Sequence, residues 1–295
     1  MSKKRKKKNL YRNYFFVVLF VIPAIAALSY ILILPKYLNH KHVLATKTTE
    51  DSQASGSAIA STSPTPSPSP SPEVYTGYCL NVPILMFHHI QPISIAQTKG
   101  QTALTVDPGA FEADMAYLNS KGYTTISTSQ VVQALNSHSK LPGKSIVVTI
   151  DDGYSDFYNF ALPIIQKYHV HVDLLIPTGL ISNPDYMTTD QLKAAISSGL
   201  VSVINHTYSH ANLGAADAGK IQFEVTTAKK QLADIGQNPN IFGYPYGVVD
   251  GIKTLQDNGY IAALSTIQGQ TQCDSFLMSL HRTRVGNSSL AAYGI

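Results

Sequence analysis

The sequence is poor in charge and in cysteine. Only 14% of its 295 residues are Asp, Glu, Lys or Arg, two are cysteine, and none is tryptophan. Two cysteines allow one internal bridge and exclude a disulfide-dense scaffold. No internal repeat is present, which excludes a stacked-repeat architecture. Basic residues are scarce where a nucleic-acid surface would need them. Ten of the 22 Lys and Arg lie up to Asp51 with two acids, leaving 12 against 16 Asp and Glu in the rest. The net charge of +4 therefore belongs to the N-terminus, and no nucleic-acid partner is expected.

The N-terminus carries a topology signal. Residues 1–13 form a basic tail with Lys3-Lys4-Arg5-Lys6-Lys7-Lys8, and residues 14–34 contain no charge at all. That apolar run is long enough to span a bilayer, and the basic flank is expected to stay in the cytoplasm. A cleaved signal peptide is the alternative, but no clear small-x-small site precedes Lys36. Residues 35–77 are a Ser/Thr/Pro-rich linker with a Ser-Pro run from Ser63 to Pro72. Such a segment has too little apolar surface to fold and favours extended backbone. Residues 78–295 are then a single extracytoplasmic domain, expected to be monomeric, in which Cys79 and Cys273 are placed to pair.

Strand-like and helical patterns alternate through this domain. Strands are predicted at 82–87, 123–126, 145–150, 172–176, 200–204, 240–244, 261–265 and 279–285. Helices are predicted from Pro108 to Gly122, over 155–168 with Pro163 as a kink or a late start, and over 189–197 and 217–235. The alternation predicts an α/β domain with a parallel sheet, closed as a barrel or open and doubly wound. In either case the site gathers at the C-terminal strand ends.

Two short runs stand at such ends: Thr149-Ile150-Asp151-Asp152-Gly153 and Asn205-His206-Thr207-Tyr208-Ser209-His210. One Asp with two His can hold a divalent metal, and a second Asp can accept a proton beside it. Each run has an ordinary reading: Asp-Asp-Gly is a common turn, and two His four apart recur by chance. Both at strand ends of one α/β domain make a hydrolytic site the stronger expectation.

Together with Tyr244-Pro245-Tyr246-Gly247 and Leu280-His281-Arg282-Thr283-Arg284-Val285, these runs resemble, in order, the motifs of the polysaccharide deacetylases (carbohydrate esterase family 4, the NodB-homology domain). The resemblance covers roughly residues 80–290. It implies a deformed (β/α) barrel, a divalent metal with Zn2+ first, and removal of acetyl groups from acetylated sugars. It implies Asp152, His206 and His210 as metal ligands and Asp151 as general base. Pro245 and Tyr246 would flank the oxyanion, with the Tyr246 N–H donating to it. Leu85-Met86-Phe87-His88-His89 resembles the first strand of the poly-N-acetylglucosamine deacetylases and implies His88 as general acid. His89, His138, His169 and His171 are read as surface or supporting residues.

Two departures stand out. Gly243 occupies the place of the Arg that usually holds the catalytic Asp, and Ser202 and Ile204 replace the Glu and Gly that often precede the second motif. Arg282 is the expected substitute for the missing Arg. The expected substrate is an N-acetylglucosamine-containing polysaccharide, either an exopolysaccharide or peptidoglycan. An O-acetyl esterase on acetylated glycans and a silent glycan-binding module remain as alternatives.

Overall fold

The computed structural model describes residues 75–295. The tail (1–13), the membrane anchor (14–34) and nearly all of the linker (35–77) expected from the sequence lie outside the described residues. Among the described residues no helix is long and apolar enough to cross a membrane.

Twelve strands are described: β1 (Cys79–Asn81), β2 (Ile84–Phe87), β3 (His89–Ile90), β4 (Thr105–Val106), β5 (Tyr123–Thr125), β6 (Lys144–Ile150), β7 (Val172–Ile176), β8 (Val201–Asn205), β9 (Ile241–Gly243), β10 (Ala262–Gln268), β11 (Thr271–Cys273) and β12 (Leu280–Arg284). Seven of them close into a parallel barrel in the order β2, β12, β10, β9, β8, β7, β6, with β6 pairing back to β2. β5 adds to the first half of β6, through Tyr123 opposite Lys144. The helices are α1 (Ile93–Lys99), α2 (Pro108–Ser120), α3 (Thr128–Ser137), α4 (Leu162–Tyr168), α5 (Thr189–Ser197), α6 (Ala218–Asp234) and α7 (Ile252–Asp257).

The strands are apolar on both faces, as parallel strands covered by helices must be. Successive side chains alternate between the two. Ile84, Val147, Leu175, Ile204, Ile241, Leu264 and Leu280 form one buried cluster, inside the barrel. Their neighbours Leu85, Ile146, Val148, Leu174, Ile176 and Val203 belong to another, under the helices. This parity fixes which residues can meet at the top of the barrel. Continuing it brings Asp151 after Val147 and Thr149, His206 after Ile204, Gly243 after Ile241, and Arg282 after Leu280.

The helices begin where their capping residues dictate. Asp107 accepts from the Gly109 N–H at 2.9 Å with Pro108 in the first turn, and Thr188 with Gln191 closes a reciprocal box. Pro163 gives a late start: a π-helical turn, Phe157–Ala161, precedes α4. Three helices lie outside the stretches predicted as helical: α1, α3 and α7. Of these α3 carries its own mark, the Ser127–Gln130 capping box, and its Val131, Val132 and Leu135 pack on the barrel-interior cluster.

Cys79 and Cys273 form a disulfide between β1 and β11, which pair antiparallel. The bridge joins residues 194 apart, and on the chain-entropy model a loop of that length is worth about 4–5 kcal/mol.

One buried carboxyl is poorly compensated. Asp114 of α2 is only 3% exposed and its Oδ2 has no hydrogen-bond partner. Burial pushes its pKa up to about 7, against the smaller opposing effect of the Leu290 backbone N–H. A carboxyl raised in the folded chain favours folding while protonated, and that contribution is lost as pH rises from its ordinary value near 4 through about 7. Asp114→Asn is therefore expected to stabilise the domain at pH 8 by up to ~4 kcal/mol and hardly at all at pH 4. Denaturant midpoints at the two pH values check this; an equal effect at both would show that Asp114 is not the titrating group.

Candidate active site

The site is built where the interior parity of five strands ends. Asp151 follows β6, and its N–H donates to the Phe87 carbonyl at 2.9 Å. Asp152 adopts φ +73°, an uncommon conformation for a side-chain-bearing residue, and Gly153 follows at φ +70°. This reversal gives the two adjacent carboxylates different neighbours. Asp151 meets Arg282 and His88, whereas Asp152 meets His206 and His210.

The two histidines stand on a braced loop after β8. Asn205 is fully buried: its Oδ1 accepts from the Thr207 N–H at 2.8 Å and its amide donates to the Tyr260 hydroxyl. Thr207 and His210 take φ +68° and +58°. Glu224 of α6, also fully buried, accepts from the Ser209 N–H at 2.7 Å and hydroxyl at 2.6 Å and pairs with Lys220. Its burial opposes ionisation, but Lys220 and Ser209 hold the carboxyl below its usual range.

His206 Nδ1 lies 2.7 Å from the Gly243 carbonyl. A carbonyl only accepts, so Nδ1 carries the proton and Nε2 presents a lone pair. That lone pair faces Asp152 Oδ1 at 3.4 Å, with His210 Nε2 at 3.1 Å from the same oxygen. Asp152 Oδ1 is buried and accepts no hydrogen bond despite these neighbours. The three ligand atoms lie within 4.8 Å of one another. Two imidazole nitrogens and one carboxylate oxygen converging in this way fit a divalent first-row cation.

Gly243 explains itself sterically. A Cβ there would stand 2.3 Å from Leu175 Cδ2 and 3.3 Å from His206 Nδ1. A side chain at the position that usually carries Arg would therefore require Leu175 to shift. The guanidinium comes instead from β12. Arg282 is 1% exposed and grips both Asp151 oxygens, Nη1 to Oδ1 at 2.7 Å and Nη2 to Oδ2 at 2.9 Å. Its Nε donates to the Ser265 carbonyl at 2.8 Å, and Nη1 also reaches Thr149 Oγ1 at 3.1 Å. Burial pushes the Asp151 carboxyl up, but Arg282, followed by His88, outweighs it and holds the group below its ordinary pKa.

His88 Nε2 lies 4.0 Å from Asp151 Oδ2 with its side chain partly exposed. Burial lowers its pKa, and the charges of Asp151 and Asp152 oppose that effect. His89 is a buried supporting residue: its Nδ1 lies 2.5 Å from Asp156 Oδ2 and its ring stacks on Tyr154 at 3.7 Å. Pro245 is buried, and Tyr246 follows at φ +59° with its ring 4.8 Å from that of His210 and 65% exposed. His138, His169 and His171 serve elsewhere. His138 bonds Asp274, His169 caps α4 at φ +53°, and His171 contacts Ser202 and Asp173.

The sequence reading missed Asn205 as a brace, Glu224, Asp156 and Tyr154. Tyr154 faces Asp152 and Tyr186, and burial with those neighbours raises its pKa. The one readable clue was Glu224, an acid on the buried stripe of α6 beside Ile221, Val225 and Ala228.

The polysaccharide deacetylase family model matches residues 138–261. The matched stretch contains the Asp-Asp pair, both histidines and Gly243, and leaves out His88 and Arg282. The chain is 29% identical over 217 residues to YxkH of Bacillus subtilis, a protein assigned to the polysaccharide deacetylases, covering 72% of this chain and 75% of that one. It is 24% identical to the poly-beta-1,6-N-acetyl-D-glucosamine N-deacetylase of Escherichia coli over 64% of this chain, but spans only 34% of that protein. Among solved structures, the Streptococcus pyogenes deacetylase PplD in complex with acetate superposes with a TM-score of 0.66 at 28% identity, covering 72% of this chain and 97% of that one. With its closed parallel barrel and its ordered motifs, the chain is a hydrolase that carries a polysaccharide deacetylase domain, matched over residues 138–261.

Proposed function

We propose that this chain removes N-acetyl groups from an N-acetylglucosamine-containing polysaccharide outside the membrane, with a divalent metal, Zn2+ first. The observation that carries the reading is the division of Asp151 and Asp152 between two partner sets. One carboxylate faces two imidazoles, and the other is held by a guanidinium. The substrate class draws support from the activity named for the Escherichia coli relative. The location draws support from the residue 1–34 pattern and from the Cys79–Cys273 bridge, which suits an oxidising compartment.

Asp152, His206 and His210 would hold the cation, which supplies Lewis-acid polarisation of the acetyl carbonyl when bound. Asp151 Oδ2 accepts the proton of the attacking water. Arg282 keeps that oxygen ionised and aimed. His88 Nε2 delivers a proton to the departing amide nitrogen. The backbone N–H of Tyr246 would donate to the developing oxyanion. Water is thereby added across the C–N bond, and acetate and a free amine result.

The test is acetate release from N-acetylglucosamine oligomers, peptidoglycan and acetylated xylan, with and without chelator. N-acetylglucosamine oligomers or peptidoglycan are expected to yield acetate, and chelation to abolish it. Release from xylan alone would make the chain an O-acetyl esterase, and no release from any would leave a glycan-binding module.

A further inference from the structure

A second concavity adjoins the candidate acid. A cleft of about 300 Å³ opens beside His88 and is lined by Thr102, Arg284, Val285, Asn287 and Tyr293, among others. No Asp or Glu lines it. We propose that this cleft is a subsite for an anionic substituent, a carboxylate or phosphate, on the sugar next to the one deacetylated, and that Arg284 reads it. The proposal rests on the deacetylase reading of the main site and adds a substrate class to it.

β12 carries two arginines, two positions apart. Arg282 is consumed by the barrel interior, with donors on Asp151, Thr149 and the Ser265 carbonyl. Arg284 sits where β12 leaves the barrel. Its register partner is Met86, and the next N–H, that of Val285, donates to the Met86 carbonyl at 3.1 Å. The backbone that carries Arg284 is therefore fixed next to the strand that ends in His88. The side chain is exposed and makes one hydrogen bond, from Nη2 to the Ala103 carbonyl at 3.1 Å. Among the described residues no carboxylate pairs with it.

A guanidinium offers five donors in a planar fork, which matches carboxylate and phosphate oxygens two at a time. Here one bond to a carbonyl orients the fork and leaves most donors unused. The rest of the lining suits a substituted sugar. Thr102 brings a hydroxyl and Tyr293 an aromatic ring to the lining, while the Asn287 amide is held in place by the Asp107 N–H and the Thr105 carbonyl. A neutral polymer of N-acetylglucosamine offers this fork hydroxyl and carbonyl acceptors but no opposite charge. An amino sugar bearing a carboxylate, such as the lactyl ether of N-acetylmuramic acid, supplies that charge, as does a phosphorylated sugar. Because His88 borders both cleft and Asp151, an anion seated on Arg284 positions the neighbouring acetamido group toward the catalytic side.

The test compares unaltered protein with Arg284→Gln, Arg284→Lys and Ala103→Glu. The probes are neutral N-acetylglucosamine oligomers, N-acetylglucosamine–N-acetylmuramic acid oligomers and phosphorylated oligomers of the same length. Arg284→Gln is expected to lower the ratio of kcat/KM for anionic over neutral probes by about tenfold, the size of one charge-assisted bond. Arg284→Lys should restore part of the ratio. Ala103→Glu, which sets a competing carboxylate beside Arg284 while keeping the arginine, should lower it as well. High salt should compress the preference in the unaltered protein. Whichever anionic probe shows the larger ratio identifies carboxylate or phosphate as the group read. A ratio equal across all variants overturns the subsite. If the unaltered protein releases acetate from none of the probes, the deacetylase reading fails. Equilibrium binding of the same probes then decides the cleft separately, and an affinity indifferent to charge and to Arg284 overturns it.

Discussion

Asp151→Asn is expected to keep the metal and to lose about 10²–10⁴ of turnover, the range general-base assistance commonly supplies. The expectation follows from the split between the adjacent carboxylates. Asp152, turned back at φ +73°, faces His206 and His210, and the substitution leaves all three side chains in place. Asn has nearly the shape of Asp, so the barrel interior stays filled. It differs in two respects. It cannot accept a proton from water at neutral pH, and its amide sets a donor against one of the two Arg282 nitrogens that now bond Asp151. Metal content per chain and kcat, measured on the same preparation, separate the roles. Metal and activity lost together would make Asp151 a ligand and end the base assignment.

The parts of this site that were legible in the sequence are those that follow from strand parity. Val147, Thr149 and Asp151 alternate with Ile146, Val148 and Ile150, and the first set shares the barrel interior. Period two along β6 therefore already pointed Asp151 inward, and the same rule placed His206 and Arg282. Closure was also within reach, because strand–helix alternation over a domain of this size leaves few topologies. Other features were set by contacts between distant segments. The β1–β11 ribbon is two three-residue strands with no periodicity of their own, held by pairing and by the disulfide. The brace of the His206–His210 loop depends on Glu224, whose burial is fixed only when α6 packs against β8. The reversal at Asp152 was marked by no more than Gly153. Gly243 looked like a lost arginine. In the structure Leu175 packs into the space a Cβ there would need, with His206 close beside it.

Arg282→Met is expected to destabilise the domain by about 3–5 kcal/mol at neutral pH, because it strips a buried carboxylate of its partner. The size follows from burial and from the number of bonds. Arg282 makes two bonds to Asp151 and one each to Thr149 and the Ser265 carbonyl, all out of water. Methionine fills similar volume and replaces none of them. The pH dependence carries a definite sign. In the unaltered chain Asp151 titrates below its ordinary value, so the pair contributes stability above about pH 4 and loses it only as pH falls through that lowered value. In the variant, burial remains and its largest counterweight is gone. The carboxyl then titrates higher than in the unaltered chain, and less of its stabilisation is present at neutral pH. The gap between the two proteins should therefore widen from acid to neutral pH. Activity should report the same shift, with a lower rate and an acidic limb of the pH–rate profile moved upward. Removing both partners in Asp151→Asn/Arg282→Met should return much of the lost stability and none of the activity, since a neutral amide costs less to bury than an unpaired carboxylate. A purely structural role for Arg282 would lower stability and leave the pH–rate profile where it was. That outcome would assign the orientation of Asp151 to another group and leave the arginine from the last strand as a barrel brace.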